Sequence, residues 1–75
     1  MIEIKSTFKV VEQMHSSNAR YATAKKGDLI TLSYPIERKY NREEIKVYVN
    51  DEYTAFINPY EAIRLTKIYK LEPIE

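Results

Sequence analysis

The chain has no cysteine and no tryptophan, and it holds a single glycine among its 75 residues. Without cysteine, neither a disulfide nor a thiolate metal site can stabilise the fold. One glycine is also too few for a glycine-rich loop of the kind that cradles phosphate groups. No apolar run approaches the ~20 residues that span a membrane. We therefore expect a soluble, cytoplasmic protein whose stability comes from packing.

Side chains that could support catalysis or metal binding are sparse. His15 is the only histidine, and no nearby carboxylates have the spacing of a metal-ligand set. Ser16 and Ser17 follow it, but a nucleophile needs a base that is itself oriented by a third group. Glu43 and Glu44 are adjacent, and we interpret them as solvated loop residues. The sequence predicts a protein that is not an enzyme and that uses no cofactor or metal.

Short segments of alternating apolar and polar residues follow one another along the chain. This period of two predicts strands over residues 2–12, 28–36 and 45–50, and it indicates a further short strand over 20–24. Another such segment, residues 53–58, follows after a very short connection. The segments over residues 45–50 and 53–58 should therefore form a β-hairpin.

Two registers are open for this hairpin, and they place different side chains inward. A two-residue loop would put Phe56 on the same face as Val47 and Val49. A three-residue loop, residues 50–52, gives a more continuous apolar face, and a one-residue slip exchanges the two faces. We predict the three-residue loop. The predicted inner face then consists of Ile45, Val47, Val49, Tyr53, Ala55 and Ile57, and the outer face carries Lys46, Tyr48 and Phe56.

A helix-start signature follows the hairpin. Asn58 can cap, Pro59 suits the first helical position, and Glu61 lies three residues after the cap. The continuation fits either a strand or a longer helix. We predict a short 3₁₀ or helical turn near residues 59–62 followed by a strand. The alternative is a β-sheet with a C-terminal helix over residues 59–70.

Two stretches resemble parts of SH3 domains. AKKGDLITLSY, which contains Gly27, is similar to the SH3 diverging turn and the strand after it. AFINPYEAIRL resembles the SH3 C-terminal element, in which a strand, a 3₁₀ turn with proline and tyrosine, and a last short strand follow one another. The resemblance covers residues 24–66 and implies that residues 1–75 form one mainly-β, five-stranded SH3-like barrel. Pro59 and Tyr60 match the SH3 peptide-binding turn, whereas the tryptophan that opens the third SH3 strand has no counterpart here.

The abundance of tyrosine indicates a binding function. Seven tyrosines exceed what a small core needs, and exposed tyrosines are frequent hot spots of protein interfaces. We predict a non-enzymatic protein-interaction module, with a homo-oligomer also possible. The composition is common in AT-rich genomes, including those of many phages, and suggests a small phage- or mobile-element-encoded regulator or inhibitor of a host protein. The predicted partner-binding residues are Lys46, Tyr48, Phe56, Tyr60 and Tyr40.

The alternative partner is RNA or single-stranded nucleic acid. Small barrels bind such strands by stacking bases on aromatic rings and by contacting phosphates with cations. Cations surround Tyr40 in the charged segment between the second and third strands. Acidic residues in the same segment weaken the positive field, and the formal net charge of the chain is only +1. The residues predicted for this alternative are Arg38, Lys39, Arg42 and Lys46.

Overall fold

The computed structural model describes residues 3–35 and 45–74, and it is mainly β. The elements are β1 (Glu3–Gln13), β2 (Leu29–Pro35), β3 (Ile45–Val49), β4 (Glu52–Ile57), α1 (Pro59–Ile68) and β5 (Tyr69–Ile74). All strand pairs are antiparallel, in the order β4-β3-β2-β1-β5. The predicted mainly-β class is confirmed. The sheet is not closed into a barrel, because β4 and β5 remain its two edges in the described part of the chain.

The segment between β1 and β2 packs as a loop. The short strand predicted over residues 20–24 is wrong, since no strand forms there. Tyr21 and Ala24, three residues apart, are nevertheless buried, so the segment contributes to the core without strand pairing. The hydroxyl of Tyr69 donates a hydrogen bond of 2.8 Å to the carbonyl of Ala24. This bond joins the loop to β5.

The single glycine makes the turn that leads into β2. Gly27 has a φ of +94°, a conformation that costs glycine little and other residues more. The N–H of Asp28 donates to the carbonyl of Lys25 over 2.9 Å, and the Asp28 carboxylate accepts from the N–H of Lys25 over 2.8 Å. The bond that the Asp28 carboxylate accepts from the Lys25 N–H, together with a bond from the Asn50 side chain, lowers the pKa of Asp28. The Gly27 N–H also donates to the carbonyl of Val10 over 2.8 Å, which docks the turn on β1.

The helix begins with the capping box that the sequence predicts. The Asn58 side chain accepts from the N–H of Glu61 over 2.9 Å, and the Glu61 carboxylate accepts from the N–H of Asn58 over 3.1 Å. α1 continues to Ile68, beyond the turn predicted at residues 59–62 and close to the alternative of 59–70. Burial of Leu65 and Ile68 explains this extension, because an apolar face packed on the sheet stabilises a helix that propensity alone would not.

One hydrophobic cluster joins the sheet, the helix and the loop. We call the face of the sheet that belongs to this cluster the inner face and the opposite one the outer face. None of the strand residues in the cluster lies on the outer face, as the pairing registers show. The buried members are Val10, Tyr21, Ala24, Ile30, Ile45, Val47, Ala55, Ile57, Leu65, Ile68 and Tyr69.

Candidate functional site

The turn of the β3–β4 hairpin determines which aromatic side chains reach solvent. Asn50 and Asp51 have φ angles of +52° and +69°. Two successive residues in this left-handed region form the tight turn typical of two-residue hairpins. Val49 and Glu52 pair directly across the turn. The predicted three-residue loop is therefore wrong, and the two-residue loop is present.

A β-bulge in β4 changes which side chains of this strand face the core. Without it, the two-residue loop would place Thr54 and Phe56 on the inner face. Val47 pairs with Ala55 and Tyr48 pairs with Tyr53, which leaves Thr54 as the extra residue. An extra residue reverses the alternation of side chains beyond it. Ala55 is thus buried as predicted, whereas Tyr53 turns to the outer face and is 53% exposed. The prediction that Tyr53 belongs to the inner face is wrong.

Three aromatic rings meet on the outer face, and we call Tyr48, Tyr53 and Phe56 the aromatic triad. The ring centroids of Tyr48 and Tyr53 are 6.0 Å apart with an interplanar angle of 74°. Those of Tyr53 and Phe56 are 5.6 Å apart with an angle of 66°. Such edge-to-face contacts are the favourable geometry for aromatic pairs. The three rings therefore form one continuous aromatic surface, in which Tyr53 contacts both of its neighbours.

The triad continues a row of side chains that crosses the whole sheet. Tyr53, Tyr48, Thr31, Thr7 and Ile74 are successive cross-strand neighbours from β4 to β5. The hydroxyls of Thr7 and Thr31 form a hydrogen bond of 3.0 Å at the centre of this row. Ile74 is 43% exposed at the far edge. The outer face therefore has aromatic rings at one edge and smaller side chains along the rest of the row.

A second row next to the first is basic. It runs from Phe56 through Lys46 and Ser33 to Lys5. The Lys46 ammonium lies 3.4 Å from the carboxylate of Glu3, with both side chains about one-third exposed. Exposed pairs of this kind contribute little to stability, so Lys46 can also contact a ligand. Ser33 is fully buried in this row, and its hydroxyl has no hydrogen-bond partner among the described residues.

The structure brings together some of the predicted site residues and separates others. Lys46, Tyr48 and Phe56 share the outer face, as the sequence predicts. Tyr60 is 70% exposed on α1, and no ring contact within the described part of the chain joins it to the triad. Tyr53 was missed as a site residue, although Asn-Asp is a turn signal that favours the register placing it outward. Tyr40, Arg38, Lys39 and Arg42 lie outside the described residues.

Among the described residues, no pocket, metal-ligand cluster or membrane-spanning helix indicates a function. An open depression beside Gly27 is lined by Lys9, Lys26 and Glu72 along with Val10 and Val11. Residues 3–35 and 45–74 contain no group of three or more His, Cys, Asp or Glu side chains that could hold a metal ion. Over the same residues, no helix has the length and apolar character needed to cross a membrane.

The chain matches no protein-family model, and comparison with curated proteins and with solved structures finds no significant match. No relative therefore supplies a function. The features of the described residues that bear on function are the exposed rings and the cations of the outer face.

Proposed function

We propose that this protein is a non-enzymatic protein-interaction module that binds its partner through the aromatic triad. The supporting observation is that Tyr53 contacts both Tyr48 and Phe56 on the face opposite the core, with Tyr53 and Phe56 53% and 41% exposed. Aromatic rings combine a large contact area with few rotatable bonds, so ordering them in a complex costs little entropy. Rings already held by one another reduce this cost further.

The biological role that we propose is regulation or inhibition of a host protein by a small phage- or mobile-element-encoded protein. Its support is the short chain and the composition. We also propose that the fold is a divergent SH3-like one. The Gly27 turn, the hairpin and the capped Pro59 segment occur in the order that the resemblance implies. The open sheet and the ten-residue helix are departures from that pattern.

The test of the protein-binding proposal compares two exposed apolar sites. The wild-type chain, a Tyr53→Ala/Phe56→Ala variant and an Ile63→Ala variant serve as baits in a lysate of the source organism. Ile63 is the control because it is a large apolar residue, 57% exposed on α1, outside the triad and outside the predicted binding residues. We expect the wild type and Ile63→Ala to retain the same protein, identified by mass spectrometry, and the double variant to lose it. Equal recovery by all three baits would contradict a role for the triad.

Nucleic-acid binding remains the second candidate, favoured by the basic row beside the triad. Lys5 and Lys46 lie in line with Phe56 across four strands, an arrangement that could hold a phosphate backbone while a base stacks on a ring. A fluorescent single-stranded oligonucleotide titrated at two salt concentrations tests this. Contacts to about three to five phosphates would give a moderate salt dependence, which Lys5→Gln should reduce. Absence of binding at low salt would exclude this candidate.

A further inference from the structure

An ion pair on the outer face joins two strands that are not neighbours. The Lys46 ammonium on β3 lies 3.4 Å from the Glu3 carboxylate on β1. Neighbouring strands are about 4.8 Å apart, so β1 and β3 are about 10 Å apart with β2 between them. Lys46 is opposite Ser33 of β2. Glu3 is opposite Pro35 of the same strand, so the two side chains reach across β2 to meet.

This ion pair leaves the Lys46 ammonium available to another carboxylate. The side chains of Lys46 and Glu3 are 35% and 33% exposed. Ion pairs that are partly in water contribute little to stability, because solvent screening and the loss of side-chain freedom offset their attraction. A carboxylate from another molecule, held in place by further contacts, can therefore replace Glu3 at little cost.

The further contacts lie next to Lys46, on the aromatic triad. Lys46 is the direct cross-strand partner of Phe56. The ring of Phe56 contacts that of Tyr53, and these two rings are exposed. Lys5 follows on the other side of Ser33 in the basic row and is exposed as well. A ligand that covers the triad and extends along this row meets two ammonium groups.

The acidic residues near this surface leave it with an excess of positive charge. Glu52 directly precedes Tyr53, but it pairs with Val49, which packs against the core. Cross-strand partners share a face, so Glu52 belongs to the inner side of the hairpin. Glu3 offsets one of the two lysines of the basic row. The charge beside the triad is therefore complementary to an acidic ligand.

We propose that the partner of the aromatic triad is an acidic protein segment. An Asp or Glu carboxylate of this segment replaces Glu3 at the Lys46 ammonium, while a neighbouring apolar side chain packs on the triad. In the free chain, Glu3 is an internal competitor for the same ammonium. The acidic segment is the partner of the surface described above, so it rests on the protein-binding function proposed for that surface.

Ser33 supplies one more group to the bound carboxylate. Its side chain is fully buried on the outer face, and its hydroxyl has no hydrogen-bond partner among the described residues. Because the Lys46 side chain crosses β2 beside Ser33, its transfer from Glu3 to a ligand uncovers this part of β2. The hydroxyl can then donate to the ligand, which satisfies a group that is costly to leave buried and unpaired.

The number of cations favours a protein carboxylate over a nucleic-acid backbone. One carboxylate needs one ammonium group, and Lys46 already holds a carboxylate of this chain. A nucleic-acid strand presents regularly spaced phosphates, and its affinity depends on how many of them are neutralised. The basic row supplies two cations, Lys5 and Lys46, from the described residues.

Selection from a random peptide library tests the proposal before any partner is known. The wild-type chain should enrich peptides that carry Asp or Glu close to an aromatic or large aliphatic residue. Lys46→Glu should lose the acidic preference. The matched control Lys67→Glu should keep it, because Lys67 is exposed on α1, away from the outer face.

The outcomes of this selection separate the acidic partner from the protein-binding function itself. Apolar peptides without an acidic preference, an acidic preference that survives Lys46→Glu, or no enriched peptide would overturn the acidic partner. The first of these results, if binding is lost in Tyr53→Ala/Phe56→Ala, would leave the triad as a protein-binding site. Selection of the same acidic peptides by that double variant would contradict the role of the triad instead.

Removal of the internal competitor gives a second measurement, an increase in affinity that a misfolded variant would not produce. A selected acidic peptide should bind Glu3→Gln about two- to fivefold more tightly than the wild type, as expected for the loss of an exposed ion pair. Glu72→Gln, which removes an exposed carboxylate from β5, controls for the change in net charge and should have a smaller effect. Equal affinities of Glu3→Gln and the wild type would overturn the competition. A single-stranded oligonucleotide that binds through Lys46 when no acidic peptide does would assign this row to nucleic acid and refute the acidic partner.

Discussion

The two faces of the β3–β4 hairpin are both rich in apolar side chains, yet they meet different surroundings. On the inner face, α1 and the loop before β2 cover the strands, and Ile45, Val47, Ala55 and Ile57 are at most 6% exposed. On the outer face, the larger rings of Tyr53 and Phe56 remain 53% and 41% exposed. Hydrophobicity therefore does not distinguish core from surface here. The difference lies in whether another element covers the face, and exposed apolar clusters often mark contact sites.

The largest expected effect separates neighbouring residues of β4. Ile57→Ala should lower the free energy of unfolding by about 2–5 kcal/mol, because it leaves a cavity in the core. Phe56→Ala should cost less than about 1.5 kcal/mol, since it removes one ring pair on the exposed face. Urea denaturation of both variants checks this. Equal losses would mean that Phe56 is a core residue and that the outer face is not available for binding.

A smaller effect is expected on the inner face at Tyr69, where burial raises the pKa of the hydroxyl. Tyr69→Phe removes the bond to Ala24 and should cost about 0.5–1.5 kcal/mol at neutral pH. The raised pKa also means that the folded state favours the neutral hydroxyl. This stabilisation is complete below about pH 10 and is lost as pH rises through the higher pKa of the folded state.

The alkaline part of this prediction has its own control. Denaturation at neutral and at alkaline pH should show a steeper loss of stability in the wild type than in Tyr69→Phe. The comparison cancels contributions from the other tyrosines and from the lysines, which both chains share. Identical alkaline losses in the two chains would show that Tyr69 does not contribute to the pH dependence.

The turn that sets the two faces can be tested by a stabilising change. Asp51 has a φ of +69°, so Asp51→Gly should remove backbone strain and raise stability by up to about 1 kcal/mol. The contrasting variant Asn50→Val places a β-branched residue at a φ of +52° and also removes the bond that the Asn50 side chain accepts from the Leu29 N–H, so it should destabilise. Thermal melts of the two variants compare them. A loss of stability in Asp51→Gly would argue against the two-residue turn and hence against the outward position of Tyr53.

The smallest effect concerns Ser33, the buried polar residue of the outer face. Its hydroxyl has no hydrogen-bond partner among the described residues, so Ser33→Ala should leave stability within about 1 kcal/mol of the wild type, or slightly above it. Ser33→Asp, which buries a charge, is the contrasting variant and should destabilise strongly. If Ser33→Ala cost as much as Tyr69→Phe, its hydroxyl would have to be hydrogen-bonded in the folded protein.

Much of the fold could be predicted because its signals are local. The alternating residues of β1 and β2, the Gly27 turn and the Asn58 capping box each depend on neighbours in the chain, and all are present. For the candidate site, Lys46, Tyr48 and Phe56 were placed correctly on the outer face. Tyr53 was not, because the alternation of apolar residues favours the three-residue turn. The two-residue turn that places Tyr53 outward keeps Ala55 and Ile57 buried only through the bulge at Thr54, which has no pattern of its own in the sequence.

The sequence by itself determined the mainly-β class, the turn at Gly27 and the helix start, since a backbone angle, a cap and a period of two are set by adjacent residues. The tertiary structure decided the features that depend on distant contacts. α1 extends to Ile68 because Leu65 and Ile68 are buried in the core. The strand order leaves β4 and β5 at opposite edges of the sheet, and no pairing between them closes it in the described part of the chain. The two-residue turn places Tyr53 on the outer face, and the bulge at Thr54 keeps Ala55 and Ile57 buried and brings Phe56 to the same face as Tyr53. Burial of distant residues selects among local conformations of similar energy, and no short stretch of sequence contains that information.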